Sequence, residues 1–200
     1  MHGARGPYAK GVAKRAEILR AALAVIARHG YRKTSTRELA AAAGLSEAGM
    51  LHYFGSKEKL FEEVLRARDE ADQARIAASG PGAAGDPIDG LWAVVRHNGT
   101  VPGLVQLYST FSAEAGDPEH SSHEFFVDRY ARLRAALADA VRTRQSAGTF
   151  IPDADPDTIA TLLIALSDGL QVQSQYDLPA DPANLFTHLL DLLGGQPRDS

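Results

Sequence analysis

Residues 34–54 of the chain read TSTRELAAAAGLSEAGMLHYF, a stretch that contains the signals for two short helices and the turn between them. Ser35 stands three residues before Glu38, which is the spacing of a capping box, where each residue satisfies a backbone N–H of the other. Gly44 tolerates the positive φ that ends a helix, and Ser46 can cap the helix that follows. The stretch therefore predicts two helices joined by a tight, glycine-containing turn.

The apolar residues of this stretch indicate that the second helix is held rigidly against the body of the protein. Ala40 is small at the point where the two helices meet, and four larger apolar residues can anchor them. These anchors are Leu39, Leu45, Met50 and Phe54. A short, rigid helix fits the major groove of DNA, which is about 12 Å wide. An ordinary helical hairpin is the alternative interpretation of the same pattern.

The formal net charge of -4 is an average over two oppositely charged parts of the chain. Residues 1–60 hold 11 Lys and Arg against four Asp and Glu, a charge of +7, whereas residues 61–200 hold 10 against 21, a charge of -11. A polyanion is attracted to the first part and repelled by the second. Chance variation on solvated helix faces produces such splits too, but the coincidence with the helix pair favours DNA as the partner.

Helical signals continue along the rest of the chain, and no segment has a convincing strand pattern. Apolar residues recur at helical spacing over 13–29 before a stop at Gly30. Gly55-Ser56 introduces a helix over about 57–75, and a glycine-rich loop follows at 79–85. Further helix starts are predicted where Asp, as N-cap, precedes Pro in the first turn. These starts are Asp86-Pro87, Asp117-Pro118, Asp155-Pro156 and Asp181-Pro182, and Thr100 opens one more.

These signals together predict an all-α fold of about nine helices in two domains. Residues 11–72 are expected to form a domain of three helices with the helix-turn-helix at about 35–54, followed by a fourth helix that leads onward. Residues 86–195 are expected to form a larger helical domain.

Composition and motifs exclude several classes of function. A chain without cysteine has no disulfide, no zinc–thiolate site and no cysteine nucleophile. No apolar run reaches the roughly 18–20 residues of a membrane span, and residues 1–15 are polar and basic, so we expect a soluble cytoplasmic protein without a secretory signal. Catalytic motifs such as Gly-x-Ser-x-Gly are absent, so neither an enzyme nor a cofactor is expected. His120 and His123 are better explained as an exposed polar face than as a metal site.

The N-terminal quarter of the chain resembles the DNA-binding domain of the TetR family of transcriptional regulators. The resemblance covers roughly residues 11–65 and rests on GY at 30–31, TSTRELA at 34–40, AGLS at 43–46 and MLHYFGSKEKL at 50–60. Members of the family commonly have LYYHF where this chain has MLHYF, so Leu51 replaces an aromatic residue. Leu51 could contact a thymine methyl group instead. The segment LYSTFSAEA at 107–115 resembles an actinobacterial group within the family.

The resemblance implies a set of contacts to double-stranded DNA, and the chemistry of each side chain indicates its role. Phosphate oxygens would be bound by Thr36, Tyr53 and Lys57, the last at the start of the fourth helix. Base edges would be read by Arg37, Glu47 and His52, because Arg suits guanine and Glu the amino group of cytosine. For Glu47 and His52 a purely solvated role is the competing interpretation. The small residues Ala48 and Gly49 allow close approach to the groove.

The resemblance also implies that the larger domain binds a small-molecule effector, of unknown identity, and forms a homodimer. Residues that combine aromatic surface with polar groups are candidates for an effector pocket, although each alone is as well explained by core or surface. These candidates are Trp92, Arg96, Tyr108, Phe111, Phe125, Tyr130 and Gln171. In the last two helices the candidates for the dimer interface are Leu166, Leu170 and Leu189. A dimer would place two recognition helices about 34 Å apart, which matches a pseudo-palindromic operator.

The expected function is therefore that of a dimeric repressor that leaves its operator when an effector binds. Such a protein works in the cytoplasm, at the nucleoid when it is bound to DNA, without a membrane partner. An activator, or a DNA-binding protein that responds to no effector, is the first alternative. A helical enzyme or carrier, in which the basic segment is incidental, is an alternative from a different class.

Overall fold

A computed structural model of the chain describes residues 7–30, 33–78, 85–98, 102–176 and 181–194. Its helices are α1 Pro7–His29, α2 Thr36–Ala42, α3 Glu47–Phe54, α4 Lys57–Ala78, α5 Pro87–Asn98, α6 Pro102–Glu114, α7 His123–Ser146, α8 Pro156–Gln173 and α9 Pro182–Leu193. A 3₁₀ turn, Ser174–Tyr176, extends α8. The described residues contain nine α-helices and no strand, which confirms the all-α prediction. None of these helices has the length and apolar character needed to cross a membrane.

Helices α1 to α4 pack around the first of two apolar cores. Its fully buried side chains include Ile18, Ile26, Leu39, Met50 and Leu60. The predicted anchors of the helix pair lie here, with Leu45 half-buried and the other three buried. Helix α1 ends at Gly30, whose φ is +76° and whose N–H donates to the Ile26 carbonyl at 2.8 Å.

Helices α5, α7, α8 and α9 surround the second apolar core. Its fully buried members include Ile88 on α5, Leu137 on α7, Leu163 on α8 and Phe186 on α9. The Trp92 ring stacks on Phe186 with the ring centroids 6.2 Å apart, which joins α5 to α9. The second core is therefore built from the part of the chain that follows α4.

Helix α6 connects the two cores because it packs directly against α1. Leu107 and Phe111 of α6 are fully buried in the first core, and Tyr108 of α6 reaches toward α7 and α8. At the contact with α1, a Cβ atom on Gly103 would collide with the Ile26 carbonyl oxygen and lie 2.8 Å from that of Ala27. Only a residue without a side chain permits the two backbones to approach so closely.

Most of the predicted Asp-Pro helix starts are found, but one of them is wrong. Asp86 and Asp155 accept hydrogen bonds from the backbone N–H groups of Ile88 and Thr158, at 2.7 and 2.8 Å, and helices begin beside them. Asp117 instead accepts from the Glu119 N–H at 3.0 Å in a turn, and α7 begins only at His123. Asp86 forms the same bond to the residue two positions on and is followed by a helix, so the bond alone does not decide whether a helix begins.

Two further predictions fall on residues outside those that the structure describes. In addition, two helices are longer than expected. Thr100 and the loop residues 79–84 lie outside the described residues. Helix α1 starts at Pro7, before the expected 13, and α4 continues to Ala78.

Candidate DNA-binding surface and internal cavity

The helix pair α2 and α3 is fixed by hydrogen bonds at both helix starts and at the turn. The Ser35 hydroxyl accepts from the Glu38 N–H at 3.2 Å, and the Ser35 N–H donates to the Glu38 carboxylate at 2.8 Å, which is the predicted capping box. The Ser46 hydroxyl accepts from the Gly49 N–H at 3.1 Å. In the turn, Gly44 has a φ of +66°. The orientation of α3 is therefore set by local bonds as well as by the core.

Helix α3 is divided into a buried and an exposed face. Met50 and Phe54, four residues apart, are buried in the first core, whereas Glu47, Ala48 and His52 are exposed. A Cβ atom on Gly49 would lie 3.2 Å from the Ser46 hydroxyl, so the absence of a side chain also serves the N-cap.

Leu51 lies at the border between these two faces of α3. It is half-buried and packs against the first core. The thymine contact stays a hypothesis, and the packing of Leu51 gives this residue a structural role without DNA.

The remaining residues expected to contact DNA lie on α2, at the end of α3 and at the start of α4. Arg37 is exposed, whereas Thr36, Tyr53 and Lys57 are half-buried. The Lys57 ammonium lies 5.3 Å from the centroid of the Phe61 ring, a distance typical of a cation–π contact. None of the eight residues expected at DNA is buried, and all belong to three consecutive helices.

Two basic residues of α1 hold the carbonyl ends of α2 and α3. Lys14 donates to the Ala43 carbonyl oxygen at 3.0 Å. Arg15 donates to the Tyr53 carbonyl oxygen at 2.7 Å, pairs with Glu63 at 3.2 Å, and lies 4.6 Å from the centroid of the Phe54 ring. Cations stabilise the negative, carbonyl end of a helix. The sequence gives no sign of this role, since in α1 these residues look like any other basic side chain.

We expect an Arg15→Met substitution to weaken DNA binding about tenfold, because α3 loses the hydrogen bond that fixes its carbonyl end. The same change should cost about 1 kcal/mol of folding free energy, since a partly exposed ion pair and one charged hydrogen bond are lost. Gel shifts and thermal denaturation measure the two effects. Arg20→Met is the matched control. It removes the same charge from α1, but the Arg20 side chain donates to a carbonyl of its own helix and not to α3. Equal behaviour of the two variants would contradict the role of Arg15.

A small cavity lies where α4, α5, α6, α7 and α8 meet. Its polar lining comes from Arg68, Tyr108, Arg129, Asp168 and Gln171, together with Ser167, and its apolar lining from Leu91, Val94, Leu133 and Ile164. The volume open to the centre of a water molecule is about 20 Å³, which is room for one or two waters. A larger molecule could enter only if the lining side chains moved apart.

A chain of polar contacts crosses this cavity from α4 to α8. Arg129 of α7 donates two hydrogen bonds to Asp69 of α4, at 2.7 and 3.1 Å, and a third to the Tyr108 hydroxyl at 3.2 Å. The hydroxyls of Tyr108 and Tyr130 each donate to the Asp168 carboxylate, at 3.0 and 2.8 Å. The two hydroxyl oxygens are 2.9 Å apart. Helix α4, which begins at the candidate DNA-binding surface, is thereby bonded to residues that line the cavity.

Burial shifts the pKa of three groups in this network, Tyr108, Tyr130 and Asp168. Burial raises the pKa of the Tyr130 hydroxyl to about 12 and that of Tyr108 further, so both stay protonated at neutral pH. Burial also raises the pKa of the Asp168 carboxyl, while the bonds from Tyr130 and Tyr108 act in the opposite direction. The network therefore keeps a carboxyl group in surroundings that disfavour its charge.

The residues expected to form an effector pocket divide into two groups in the structure. Tyr108 and Gln171 line the cavity, and Tyr130 bonds to Asp168 at its edge. The other four lie elsewhere: Trp92 stacks on Phe186, Arg96 lies over the Trp92 ring, and Phe111 and Phe125 are buried in the first core.

The sequence reasoning missed Arg68, Arg129 and Asp168. One signal pointed to Asp168, which is the single charged residue of α8 beyond its first turn. The two arginines carried no such signal, since α4 and α7 contain many charged residues.

The residues expected at a dimer interface also differ in exposure. Leu170 is 3% exposed and belongs to the second core, whereas Leu166 and Leu189 are half-buried against it. The exposed leucines of the same helices are Leu162 of α8, at 59%, and Leu185 and Leu192 of α9, at 39% and 51%. The sequence could not separate these exposed leucines from the buried ones, because a wide apolar stripe does not show which side faces the core of its own chain.

Comparison with protein families gives two matches, which cover separate parts of the chain. The family of bacterial regulatory proteins called the tetR family matches residues 18–64. The C-terminal domain of BetI-type transcriptional repressors matches residues 102–194.

Individual relatives and solved structures that resemble this chain are transcriptional regulators as well. The transcriptional regulator BetI of Agrobacterium fabrum is 31% identical over 169 residues, 80% of this chain and 76% of BetI. The transcriptional repressor Rv1474c of Mycobacterium tuberculosis is 29% identical over 192 residues, 94% of this chain and 95% of the relative. A transcriptional regulator of Saccharomonospora viridis, solved in complex with choline, superimposes with a TM-score of 0.72 at 26% identity, covering 90% of this chain and 94% of the other.

Proposed function

Since the chain belongs to the TetR family of bacterial regulatory proteins, we propose that it represses transcription as a homodimer on operator DNA and is released by a small molecule. The observation that carries this proposal is the exposed face of α3, with Glu47, Ala48 and His52 on a helix fixed at both ends. We assign DNA binding to residues 11–72 and the effector and dimer functions to 86–195. The protein would act in the cytoplasm, on the nucleoid when bound.

The roles of the individual side chains follow from their positions around α3. Arg37 is exposed on α2 and can reach the edge of a guanine, for which its two-pronged guanidinium is suited. Lys57 lies at the start of α4, where its ammonium and the helix N-terminus both favour a phosphate. Thr36 and Tyr53 flank α3 and supply hydroxyl groups to the DNA backbone.

A second copy of the chain is the proposed partner of the exposed face of α8 and α9. Leu162 and Leu166, four residues apart on α8, and Leu185 and Leu192, seven residues apart on α9, form the apolar row proposed for this contact. Exposed apolar surface of this kind marks an interaction site. In a dimer about a two-fold axis the same row would face itself.

The link between cavity and DNA is proposed to run along α4. Asp69 lies three turns after Lys57 on that helix and is bonded to Arg129 at the cavity. A ligand that binds better when this pair is rearranged would favour a different position of α4. Such a ligand lowers DNA affinity only by as much as it distinguishes the two positions.

Gel shifts with the DNA upstream of the chain's own gene test the proposal through two variants. Lys57→Ala should weaken binding to all fragments and lower the slope of log affinity against log salt by about one. Arg37→Ala should cost about 1–3 kcal/mol on the operator alone, so specificity falls. Arg142→Ala is the control, because this exposed arginine pairs with Asp139 and Asp157 on α7 and α8.

Three outcomes would count against repression by this mechanism. If no DNA fragment is shifted at low salt, the chain does not bind DNA, and a helical carrier or enzyme becomes the favoured function. A shift that no ligand of the cavity reverses would favour a regulator without an effector, and activation of the gene in a reporter assay would reverse the sign of regulation.

A further inference from the structure

The internal cavity contains one carboxylate, Asp168, that forms no ion pair among the described residues, although the Arg129 guanidinium, bonded to Tyr108, favours its charged form from a distance. Of the two arginines that line the cavity, Arg129 forms a two-bond ion pair with Asp69, and the Arg68 guanidinium lies 3.7 Å from the Asp72 carboxylate. Asp168 is bonded to Tyr108 and Tyr130, which are neutral. The cavity and its edge thus combine two arginines with three aspartates.

The hydrogen bonds around Asp168 also lack one proton. The carboxylate and the hydroxyls of Tyr108 and Tyr130 form a triangle of contacts of 2.8, 2.9 and 3.0 Å. Each contact needs one proton, but two hydroxyl groups supply only two when Asp168 is ionised. Arg129 donates to the Tyr108 oxygen from outside the triangle and does not lie between its members. With Asp168 ionised, one of the three contacts is therefore without a hydrogen, and the carboxylate keeps lone pairs that can accept from a further donor.

An anionic ligand fits this arrangement poorly. To bond to Arg129 it must compete with the carboxylate of Asp69, and at either arginine it must approach Asp168 within the same small cavity. Burying a second negative charge beside an unpaired carboxylate is costly in a poorly hydrated site. A cation with N–H donors suits the site, because it neutralises Asp168 and donates to a lone pair of the carboxylate that the tyrosines leave free.

We propose that the effector of this chain is a protonated amine that carries an apolar group, with its ammonium bound to Asp168. The apolar group would lie against Leu91, Val94, Leu133 and Ile164, which line the same cavity. The space open to a water centre is only about 20 Å³, so even a butyl group must move the lining helices apart. This inference rests on the proposed function only for its regulatory consequence, since amine binding itself can be measured without DNA.

The test is calorimetric titration of the full chain at pH 7 with three probes that carry a short alkyl chain. These probes are n-butylammonium, butyltrimethylammonium and butyrate, whose alkyl chains are butyl, butyl and propyl and which differ in charge and in N–H donors. Butylammonium should bind, butyltrimethylammonium should bind about tenfold more weakly because it lacks N–H donors, and butyrate should not bind. Equal affinity for the two cations, preference for butyrate, or no binding of butylammonium would each overturn the proposal.

A pair of variants assigns the binding to Asp168. Asp168→Asn keeps the shape but removes the charge, and should weaken butylammonium about tenfold or more. Asp157→Asn is the matched control, because Asp157 is on the same helix, exposed, and paired with Arg142. Unchanged amine affinity in Asp168→Asn, with folding verified by circular dichroism, would overturn the proposal.

Gel shifts separate this proposal from the proposed function. If the wild-type chain binds operator DNA but butyrate and not butylammonium releases it, regulation stands and the amine proposal is wrong. If butylammonium binds Asp168 but the chain binds no DNA, the amine site stands and the repressor proposal is wrong.

Discussion

A Gly103→Ala variant is expected to unfold about 6 to 12 °C below the wild-type protein, from a loss of about 3 kcal/mol through overpacking. The new Cβ atom would collide with the Ile26 carbonyl oxygen, and backbone atoms cannot rotate away as a side chain can. Helices α1 and α6 must therefore separate, which opens the contact between the two apolar cores. Thermal denaturation followed by circular dichroism measures the effect.

The control for this variant is Gly11→Ala on α1. No atom lies within 4 Å of the position that its Cβ would take. Alanine is favoured over glycine inside a helix by about 0.5–1 kcal/mol, so this variant should be as stable as the wild type or slightly more. A Gly103→Ala protein that unfolds at the wild-type temperature would show that α6 does not press on α1 as described.

A Leu162→Glu variant is expected to be monomeric, with a dimer dissociation constant raised more than about 100-fold. Leu162 is 59% exposed in the isolated chain and lies in the apolar row proposed to face a second copy. Because the axis is two-fold, one substitution places two carboxylates in the interface. Operator affinity should fall with it, by about 100-fold, since two linked recognition helices gain from simultaneous binding. Analytical ultracentrifugation and gel shifts measure the two losses.

Val127→Glu is the matched control, because Val127 is 49% exposed but lies on α7, away from the proposed row. It should sediment like the wild type and bind DNA unchanged. A Leu162→Glu protein that stays dimeric at micromolar concentration would move the interface elsewhere on the molecule.

The helix-turn-helix could be predicted in detail because its determinants are local. The capping box of Ser35 and Glu38, the N-cap Ser46 and the positive φ of Gly44 each depend on a few neighbouring residues, and all are present. Asp117 shows where local reasoning fails, since the same Asp-Pro pair can close a turn or start a helix and the following residues decide. The surface residues of α2 and α3 were therefore accessible from sequence.

The cavity could not be predicted in the same way, because it depends on contacts between distant residues. Arg129 and Asp69 are 60 positions apart, as are Tyr108 and Asp168, and no short motif records such pairs. The sequence pattern found the aromatic members Tyr108 and Tyr130 by their chemistry. It placed Trp92 and Phe125 with them because it could not tell which core each ring would enter.

The stacking of Trp92 on Phe186 has a practical consequence for following motion in this protein. Trp92 is the single tryptophan of the chain, so the intrinsic indole fluorescence has one source. That source lies between α5 and α9, beside the Arg96 guanidinium and outside the lining of the cavity. The emission spectrum of the unlabelled protein therefore reports how α9 sits on the body of the subunit, with no direct quenching by a molecule in the cavity.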